Sequence, residues 1–411
     1  MRFHVLGIGS IGSLISHHLR RSLPSGHSVT LIHRTLRQAR DAQDKGGVIR
    51  VDRAGVVETS SDFASEVFEG VEIGPRIQHK TTSEAAQLQR NENQMHENSI
   101  ESLFVTAKAN QTLPALRRLS SRLSPYSTIV LMQNGMGVYE ELIQELFRNP
   151  LSRPHFILAS NTHGVYPKAP FEVVHAGVGE IKFGIMPDPA GRNFEAAFDP
   201  SLYPPDRRGK LSDIVQSETD PQFARYKSLR NSVAALVLMD ALNTTWVPME
   251  EMQIAMRRKV VVNSVINPLT SVMGCRNGEI FKTEAGIQMM QFVCREAARV
   301  FAAEAAEQAG ISSHPTRTEE GDEDQTLSFR VSPLLEAKSL EKECLRVAEA
   351  TKHNISSMLG DVRRGSRETE VNYMNGYLLR LGRKYNIPMP TTLALWRMVY
   401  MRSAIPLDTT F

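Results

Sequence analysis

The sequence predicts an α/β domain followed by an all-α domain, and three observations carry that expectation. Phe3-His4-Val5-Leu6 is a short apolar run that leads straight into Gly7-Ile8-Gly9-Ser10-Ile11-Gly12, after which Leu14, Ile15 and Leu19 recur at helical spacing. Further short apolar runs, each long enough for one buried strand, stand at 29–32, 103–106, 128–132 and 156–160. From Glu250 the period becomes helical and stays so, over 250–274, 284–309, 334–353, 371–385 and 391–402.

Strand, glycine turn and helix in immediate succession form the arrangement that cradles a pyrophosphate. The first glycine permits the tight turn, the second lets backbone approach the phosphates, and the third lets the helix pack close to the strand. The free N–H groups of the helix N-terminus then receive the negative charge. Gly7, Ile8, Gly9, Ser10, Ile11 and Gly12 are therefore assigned to a dinucleotide cofactor, against the alternative of a glycine turn without ligand. They open a Rossmann-type domain over 1–247, and a helical domain follows over 248–411.

Val29-Thr30-Leu31-Ile32 reads as the second strand, with His33 and Arg34 at its end and Arg37 one helical turn on. An acidic residue at this place holds the ribose 2′-hydroxyl of NAD, whereas arginine suits the 2′-phosphate of NADP. No acidic residue occurs between Gly12 and Asp41, so NADPH/NADP+ is the expected cofactor. Residues 47–59 read as a small hairpin, and 76–99, rich in Gln, Asn and Glu, as an inserted surface loop. The run 103–106 delivers Ala107-Lys108, a helix through Leu113, Leu116 and Leu119 follows, and 128–132 ends in Gln133-Asn134-Gly135. Lys108 and Asn134 thus stand at carboxyl ends of strands, where open α/β sheets bind ligands. Phe171–Val174 and Glu180–Phe183, flanking Gly177 and Gly179, read as an antiparallel hairpin, and 187–221 as a second insertion. Ser228–Met239 reads as a helix, and Thr244-Thr245-Trp246-Val247 as a last edge strand. Residues 312–332, with their acidic run, read as a linker loop.

Composition bounds the function classes. In 411 residues the hydrophobic share is 41% and the net charge +3, an ordinary globular balance that gives no reason to invoke nucleic acid. No apolar stretch reaches membrane-spanning length. Cys275, Cys294 and Cys344 are odd in number, far apart and outside metal-ligand spacing, so they read as free thiols in a reducing compartment, with no metal site. The fold starts at residue 2, which leaves no room for a leader; the expected compartment is cytoplasmic, with the mitochondrion left open.

The second domain opens with Arg257-Arg258-Lys259-Val260-Val261-Val262-Asn263-Ser264-Val265-Ile266-Asn267-Pro268-Leu269-Thr270. Lys259, Asn263 and Asn267, spaced i, i+4, i+8, make one polar line on a helix that is otherwise strongly apolar. Such a line is either a hydrogen-bonded spine or a functional site. Glu370, in Thr369-Glu370-Val371-Asn372-Tyr373-Met374-Asn375-Gly376, is a candidate partner for the lysine.

Taken together these residues resemble the ketopantoate reductase (2-dehydropantoate 2-reductase) family. The matches are the glycine turn, Arg34, Lys108 in VTAK, Gln133-Asn134-Gly135, His175…Gly177…Gly179, Lys259 in RRKVVVNSVINPLT, Asn277-Gly278-Glu279, Ser356-Ser357-Met358 and Glu370 in TEVNYMNGYLL, in family order from residue 3 to about 400. The three insertions point to a fungal member. The resemblance implies a helical domain of the 6-phosphogluconate dehydrogenase C-terminal type and NADPH-dependent reduction of ketopantoate to (R)-pantoate, which feeds pantothenate and coenzyme A. It implies Lys259 as general acid, and Glu370 as the residue that anchors substrate, orients the site and meets the cofactor. Asn134, Asn263, Asn267 and Ser357 are implied to touch substrate, with Asn134 and Lys108 also near the cofactor. The partner is then a small 2-oxo acid, with no nucleic acid or membrane, and the helical domain could support a homodimer.

The residue types suit the chemistry. Hydride attack on a ketone builds negative charge on oxygen, and a protonated lysine can donate to it as it forms. Two other readings stand beside this one: a paralogue that reduces another branched 2-oxo acid, and a non-catalytic NADP-binding regulatory member. The intact Lys259, Asn263, Asn267, Ser357 and Glu370 argue against the last. Replacing Arg34 with Asp is expected to weaken NADPH binding by roughly 2–4 kcal/mol, through a lost charged contact and new repulsion. Titrating both nucleotides against both proteins checks this, and equal affinity of the unmodified protein for NADH and NADPH would refute it.

Overall fold

The computed structural model describes residues 1–44, 46–68, 98–199, 201–202, 207–309 and 332–405. The chain forms two compact units, Met1–Gln133 with Tyr139–Met252, and Asn134–Val138 with Gln253–Phe411. The first contains β1 (Arg2–Leu6), α1 (Ser10–Ser22), β2 (Ser28–His33), α2 (Leu36–Asp44), β3 (Ile49–Arg53), β4 (Val56–Ser60), β5 (Phe63–Val67), β6 (Ser102–Val105), α3 (Ala109–Leu119) and β7 (Thr128–Leu131). It continues through α4 (Val138–Glu145), β8 (His155–Asn161), β9 (Gly164–Ala169), β10 (Glu172–Gly177), β11 (Ile181–Ile185), α5 (Leu211–Ile214), α6 (Phe223–Val237) and β12 (Thr244–Trp246).

The apolar runs become an eight-stranded sheet in the order β12-β11-β8-β7-β6-β1-β2-β5. β1 pairs parallel with both β2 and β6, so the chain leaves it toward both sides of the sheet. That is the topological switch point, and the carboxyl end of β1, where such sheets bind ligands, carries Gly7. Phe3, Val5, Phe104, Val130 and Ile157 share one core with Leu14, Ile15 and Leu19 of α1 and with Leu229, Val233 and Leu236 of α6. Each such side chain contributes about 1.5–3 kcal/mol by leaving water. Two buried hydroxyl pairs, Ser102–Ser232 at 2.7 Å and Thr128–Ser228 at 2.9 Å, fix how α6 docks. β12 is the edge strand that the sequence suggests.

A second sheet runs β4-β3-β10-β9. The hairpin expected over 47–59 is β3 and β4, and its turn holds Ala54 and Gly55 at φ 53° and 85°, as a two-residue hairpin loop with a matching twist requires. The hairpin expected between Phe171–Val174 and Glu180–Phe183 does not form. β10 pairs antiparallel with β9 and parallel with β3, while β11 joins the large sheet beside β8 and β12. Gly164 supplies the closer partner: it faces Gly177 in register, where a Cβ on Gly164 would lie 3.4 Å from Gly177 Cα. The stretch after Gly177 is held by His163, whose Nδ1 accepts from Gly179 N at 3.0 Å while its Nε2 donates to Leu242 O at 3.0 Å.

Described residues of the expected insertion 187–221 take part in the core. Phe194, Ala197, Ile214 and Val215 are buried. Arg192 donates to Ile214 O at 2.7 Å and pairs with Asp220 at 3.1 Å, and Tyr226 donates to Asp188 Oδ2 at 2.5 Å. The polar stretches expected at 76–99 and 312–332 lie outside the described residues, except Asn98, Ser99 and Ser332. Arg122 holds the flanks of the first, donating to Phe68 O and Asn98 O while pairing with buried Glu66 at 2.8 Å.

The second unit is helical, with α7 (Met249–Met273) crossing into it at Gln253, then α8 (Glu284–Gln308), α9 (Ala337–Ala350), α10 (Ser357–Arg363), α11 (Asn375–Lys384) and α12 (Pro390–Ala404). Val260, Val261 and Val265 of α7 share its core with Val293, Val300 and Phe301 of α8, Leu340 of α9, Leu378 of α11 and Leu395 of α12. Buried Glu296 caps α12, accepting from Thr391 N at 2.8 Å and Thr392 N at 2.9 Å.

Acid should unfold the first unit. His4, His33 and His155 are 2%, 4% and 5% exposed. Burial lowers their pKa values from 6.5 to about 3, 4 and 4, with Arg122 and Arg2 adding to the effect at His4 and Arg225 at His155. They are neutral when folded and protonate near pH 6.5 when unfolded, so the stability they contribute is complete above that pH and is lost as pH falls below it. Each takes away about 1.4 kcal/mol per pH unit until its folded pKa is reached. The urea midpoint should therefore be flat above about pH 7 and fall steeply between about pH 6 and 5; an unchanged midpoint would refute the neutral-histidine account.

Candidate active site

The glycine turn has the geometry that its spacing suggests. Gly7 sits at φ 98°, and a side chain there would collide with the backbone of Ala107. A Cβ on Gly12 would collide with Gly7 O and lie 2.7 Å from Thr106 Oγ1. Gly9 differs: a Cβ there would meet no atom within 4 Å, so its role is to leave space above the turn rather than to fit beneath it. Gly9 is the N-cap of α1, no side chain caps the helix, and its first turn holds no acidic residue. Open N–H groups beside a side-chain-free backbone fit a pyrophosphate. Thr106 braces the turn, its Oγ1 donating to Gly7 O at 2.7 Å. Lys108, two residues on, is the extended N-cap of α3. Arg34 directly follows β2 and is exposed, as are Arg37 and Arg40.

In the second unit the polar line of α7 meets the turn at 370–374. Lys259 is partly buried, and burial lowers its pKa from 10.5 to about 8 against the opposing influence of the Glu370 charge. Glu370 is 8% exposed and begins a short 3₁₀ turn, Glu370–Tyr373, whose Val371 N donates to Thr369 Oγ1. Asn267 Nδ2 lies 3.4 Å from Met374 Sδ. Asn263, one helical turn from each of the others, is partly buried. Asn134 belongs to the same unit because Gly135-Met136 is strapped to this turn: Met136 N donates to Tyr373 O at 2.8 Å, and Gly135, at φ 87°, has no room for a Cβ beside Tyr373 O.

Ser357 is exposed at the start of α10, whereas its neighbour Ser356 is buried. Ser356 Oγ accepts from Leu359 N and lies 2.7 Å from Thr270 Oγ1, eleven residues beyond Lys259 and so roughly 16 Å along α7. The structure thus gathers Lys259, Glu370, Asn267 and the Asn134 segment around one turn. Gly7 to Gly12, Arg34 and Lys108 belong to the first unit. Thr106 and the pair Met374-Asn375 are the residues that sequence reasoning missed; both stand inside stretches already singled out, VTAK and TEVNYMNGYLL. Among the described residues no group of three His, Cys, Asp or Glu side chains is placed to hold a metal, and no helix is long and apolar enough to cross a membrane.

Comparison with known proteins matches residues 3–188 to the family Ketopantoate reductase PanE/ApbA and residues 251–403 to Ketopantoate reductase PanE/ApbA C terminal. The chain belongs to the ketopantoate reductase family. It is accordingly an oxidoreductase acting on a CH–OH group, and its cofactor is a pyridine nucleotide. It is 28% identical over 298 residues to a probable 2-dehydropantoate 2-reductase of Schizosaccharomyces pombe, covering 72% of this chain and 71% of that one. It is 26% identical over 387 residues to the 2-dehydropantoate 2-reductase of Saccharomyces cerevisiae, covering 93% and 89%. Among solved structures it is similar to a D-mandelate dehydrogenase held with NADH and anilino(oxo)acetate (TM-score 0.66, 17% identity, 98% of each chain). It is also similar to a 2-dehydropantoate 2-reductase of Methylococcus capsulatus (TM-score 0.61, 18% identity, 99% of each chain). These two likenesses establish the two-part fold.

The glycines should separate fold from binding. Gly12→Ala is expected to cost about 1–3 kcal/mol of stability, since the added carbon has no room. Gly9→Ala should change stability by less than about 0.5 kcal/mol yet weaken nucleotide binding by roughly tenfold or more. Calorimetry with a nucleotide titration checks both, and an undiminished affinity of Gly9→Ala would refute the assignment of that space.

Proposed function

We propose that this chain reduces ketopantoate to (R)-pantoate with NADPH, in the supply of pantothenate and coenzyme A, and that Lys259 is the general acid. The observation that carries the reading is Lys259 itself: a partly buried lysine on an apolar helix, with its pKa brought down to about 8 by burial while the charge of Glu370 holds it from falling further. A general acid works best when its pKa lies near the working pH, and an ordinary surface lysine, near 10.4, is too weak an acid for this.

When bound, NADPH supplies the hydride to the carbonyl carbon. As the carbon–oxygen π pair moves onto oxygen, Lys259 Nζ donates a proton to it, and the neutral amine left behind is reprotonated from water. Glu370 keeps the lysine charged between turnovers and anchors the substrate. Asn263 and Asn267 present amide donors along the same line as Lys259. Asn267 Nδ2 faces a thioether sulfur at 3.4 Å, a weak acceptor that a substrate oxygen can replace. Asn134 and Ser357 complete the proposed substrate contacts, and Gly7 to Gly12 with Lys108 hold the cofactor. Support for NADPH over NADH comes from the exposed Arg34, Arg37 and Arg40 after β2, in a stretch with no carboxylate before Asp41. The regions 1–247 and 248–411 are the proposed cofactor and substrate domains.

The sign of the pH dependence follows from an acid that must be protonated. With ketopantoate and NADPH, kcat/KM should fall about tenfold per pH unit above about pH 8. Glu370→Gln removes the charge that raises the lysine pKa, so this limb should move to lower pH. Lys259→Met should keep NADPH binding and lose roughly 10²–10⁴-fold in turnover. Initial rates across pH for the three proteins decide it: an undiminished Lys259→Met enzyme would eliminate Lys259 as the acid, and no turnover of ketopantoate by the unmodified protein would eliminate the substrate.

A further inference from the structure

The helix that carries Lys259, Asn263 and Asn267 contains a proline. Pro268 lies inside α7, and it has no N–H to give to the carbonyl four residues back, Ser264 O. That carbonyl does have a donor. Asn375 Nδ2, on the first residue of α11, reaches Ser264 O at 3.0 Å. Asn375 is fully buried and so is Ser264. The hydroxyls of Thr270 and Ser271 return to Ile266 O and Asn267 O at 2.7 and 2.6 Å, so side chains serve the backbone throughout this stretch. Such substitutions let a helix change direction without leaving a buried carbonyl unpaired.

The amide is costly where it stands. Asn375 Oδ1 is buried without a hydrogen-bond partner among the described residues, and a leucine would avoid that cost. The N–H donor is therefore the part of the side chain that the site uses. Its position is informative: Asn375 immediately follows Met374, whose sulfur meets Asn267, and stands five residues after Glu370, whose charge acts on Lys259.

We propose that Asn375 is a positioning residue for this active site: by giving Ser264 O the hydrogen bond that Pro268 withholds, it fixes α7 against the 370–374 turn and so holds Lys259 and Asn267 opposite Glu370 and Met374. The inference deepens the proposed reductase reading and rests on it only for its effect on turnover.

The test uses the full chain and the pairing of the two residues. Asn375→Ala should bring the Lys259 pKa, measured by competitive acetylation of the lysines across pH with peptide mass spectrometry, up from about 8 toward 10. It should also lower kcat/KM for NADPH-dependent ketopantoate reduction by at least tenfold, with NADPH affinity unchanged. Pro268→Ala restores an N–H that can reach Ser264 O within the helix but makes no link to α11, so adding it to Asn375→Ala should recover melting temperature and leave the lysine pKa and the lost rate unrecovered. A merely structural role would lower the melting temperature and leave the lysine pKa in place, and that result would overturn the proposal. So would a return of the unmodified protein's lysine pKa and rate in the double variant, which would mean that satisfying Ser264 O is enough. Should Asn375→Ala not fold, the double variant is compared with Pro268→Ala alone: a higher lysine pKa in the double variant supports the proposal and equal values overturn it. The acetylation readout needs no substrate, so a protein inactive on ketopantoate would refute the reductase reading while leaving this test decided on its own.

Discussion

An ammonium group taken out of water stays charged only while a carboxylate remains near it, and the second unit is arranged around that constraint. Burial lowers the pKa of Lys259, and the charge of Glu370 opposes the change. For the opposition to hold, Glu370 has to stay where it is. It is itself buried, at the head of a four-residue 3₁₀ turn too short to be stable alone. The turn is secured from several directions: Thr369 meets Val371 N, Met136 N binds Tyr373 O, Asn267 touches Met374, and Asn375 holds Ser264 O. The proposed acid, its counter-charge and the proposed substrate donors are thus set by one short segment and the helix it braces.

The first unit meets a different requirement, imposed by backbone sterics. Gly7 and Gly12 are glycines because other backbone occupies the place of a side chain, while Gly9 is a glycine because nothing does. One motif therefore mixes two kinds of constraint, a packed underside and an open upper face, and only the second concerns a ligand. Two of the three insertions have described residues secured at their flanks or in the core. Arg122 gathers Phe68 O and Asn98 O, bringing residues 68 and 98 to one guanidinium. The segment 187–221 instead contributes Phe194, Ile214 and Val215 to the core and so behaves as part of the domain.

Much of this was legible in the sequence because period and glycine spacing are local. The strands at 29–32, 103–106, 128–132 and 156–160, the hairpin at 47–59 and the switch to helix after 250 all announce themselves within a few residues. What was not legible depended on partners far along the chain. Gly164–Ala169 is too polar on its exposed face to read as a strand, yet it displaced the expected partner of Phe171–Val174 because its glycine matches Gly177 across the ladder. In the site, Lys259, Asn263 and Asn267 were visible as a line on an apolar helix. The inward serine of Ser356-Ser357 was not, since spacing alone cannot say which of two adjacent residues faces a helix residue 86 positions away. Asn375 was invisible for the same reason: its meaning comes from Pro268, and only folding brings the two together.

The strap formed by Gly135 and Met136 has a consequence for the history of the chain. Residues 134–138 group with the second unit, although more than a hundred residues of the first unit separate them from Gln253. On a ribosome they emerge long before Tyr373, their hydrogen-bonding partner. The helical unit can therefore gather most of its core from contiguous sequence, yet its last pieces close only over a very long loop, the kind of contact whose formation is slow. No single cut in the gene yields two whole halves. A fragment beginning at Gln253 would carry the lysine and the glutamate but would lack the segment that pins the turn headed by Glu370, and an excised first unit would lose the residues just beyond β7. The two parts of this protein are separable by their contacts and inseparable by their covalent order.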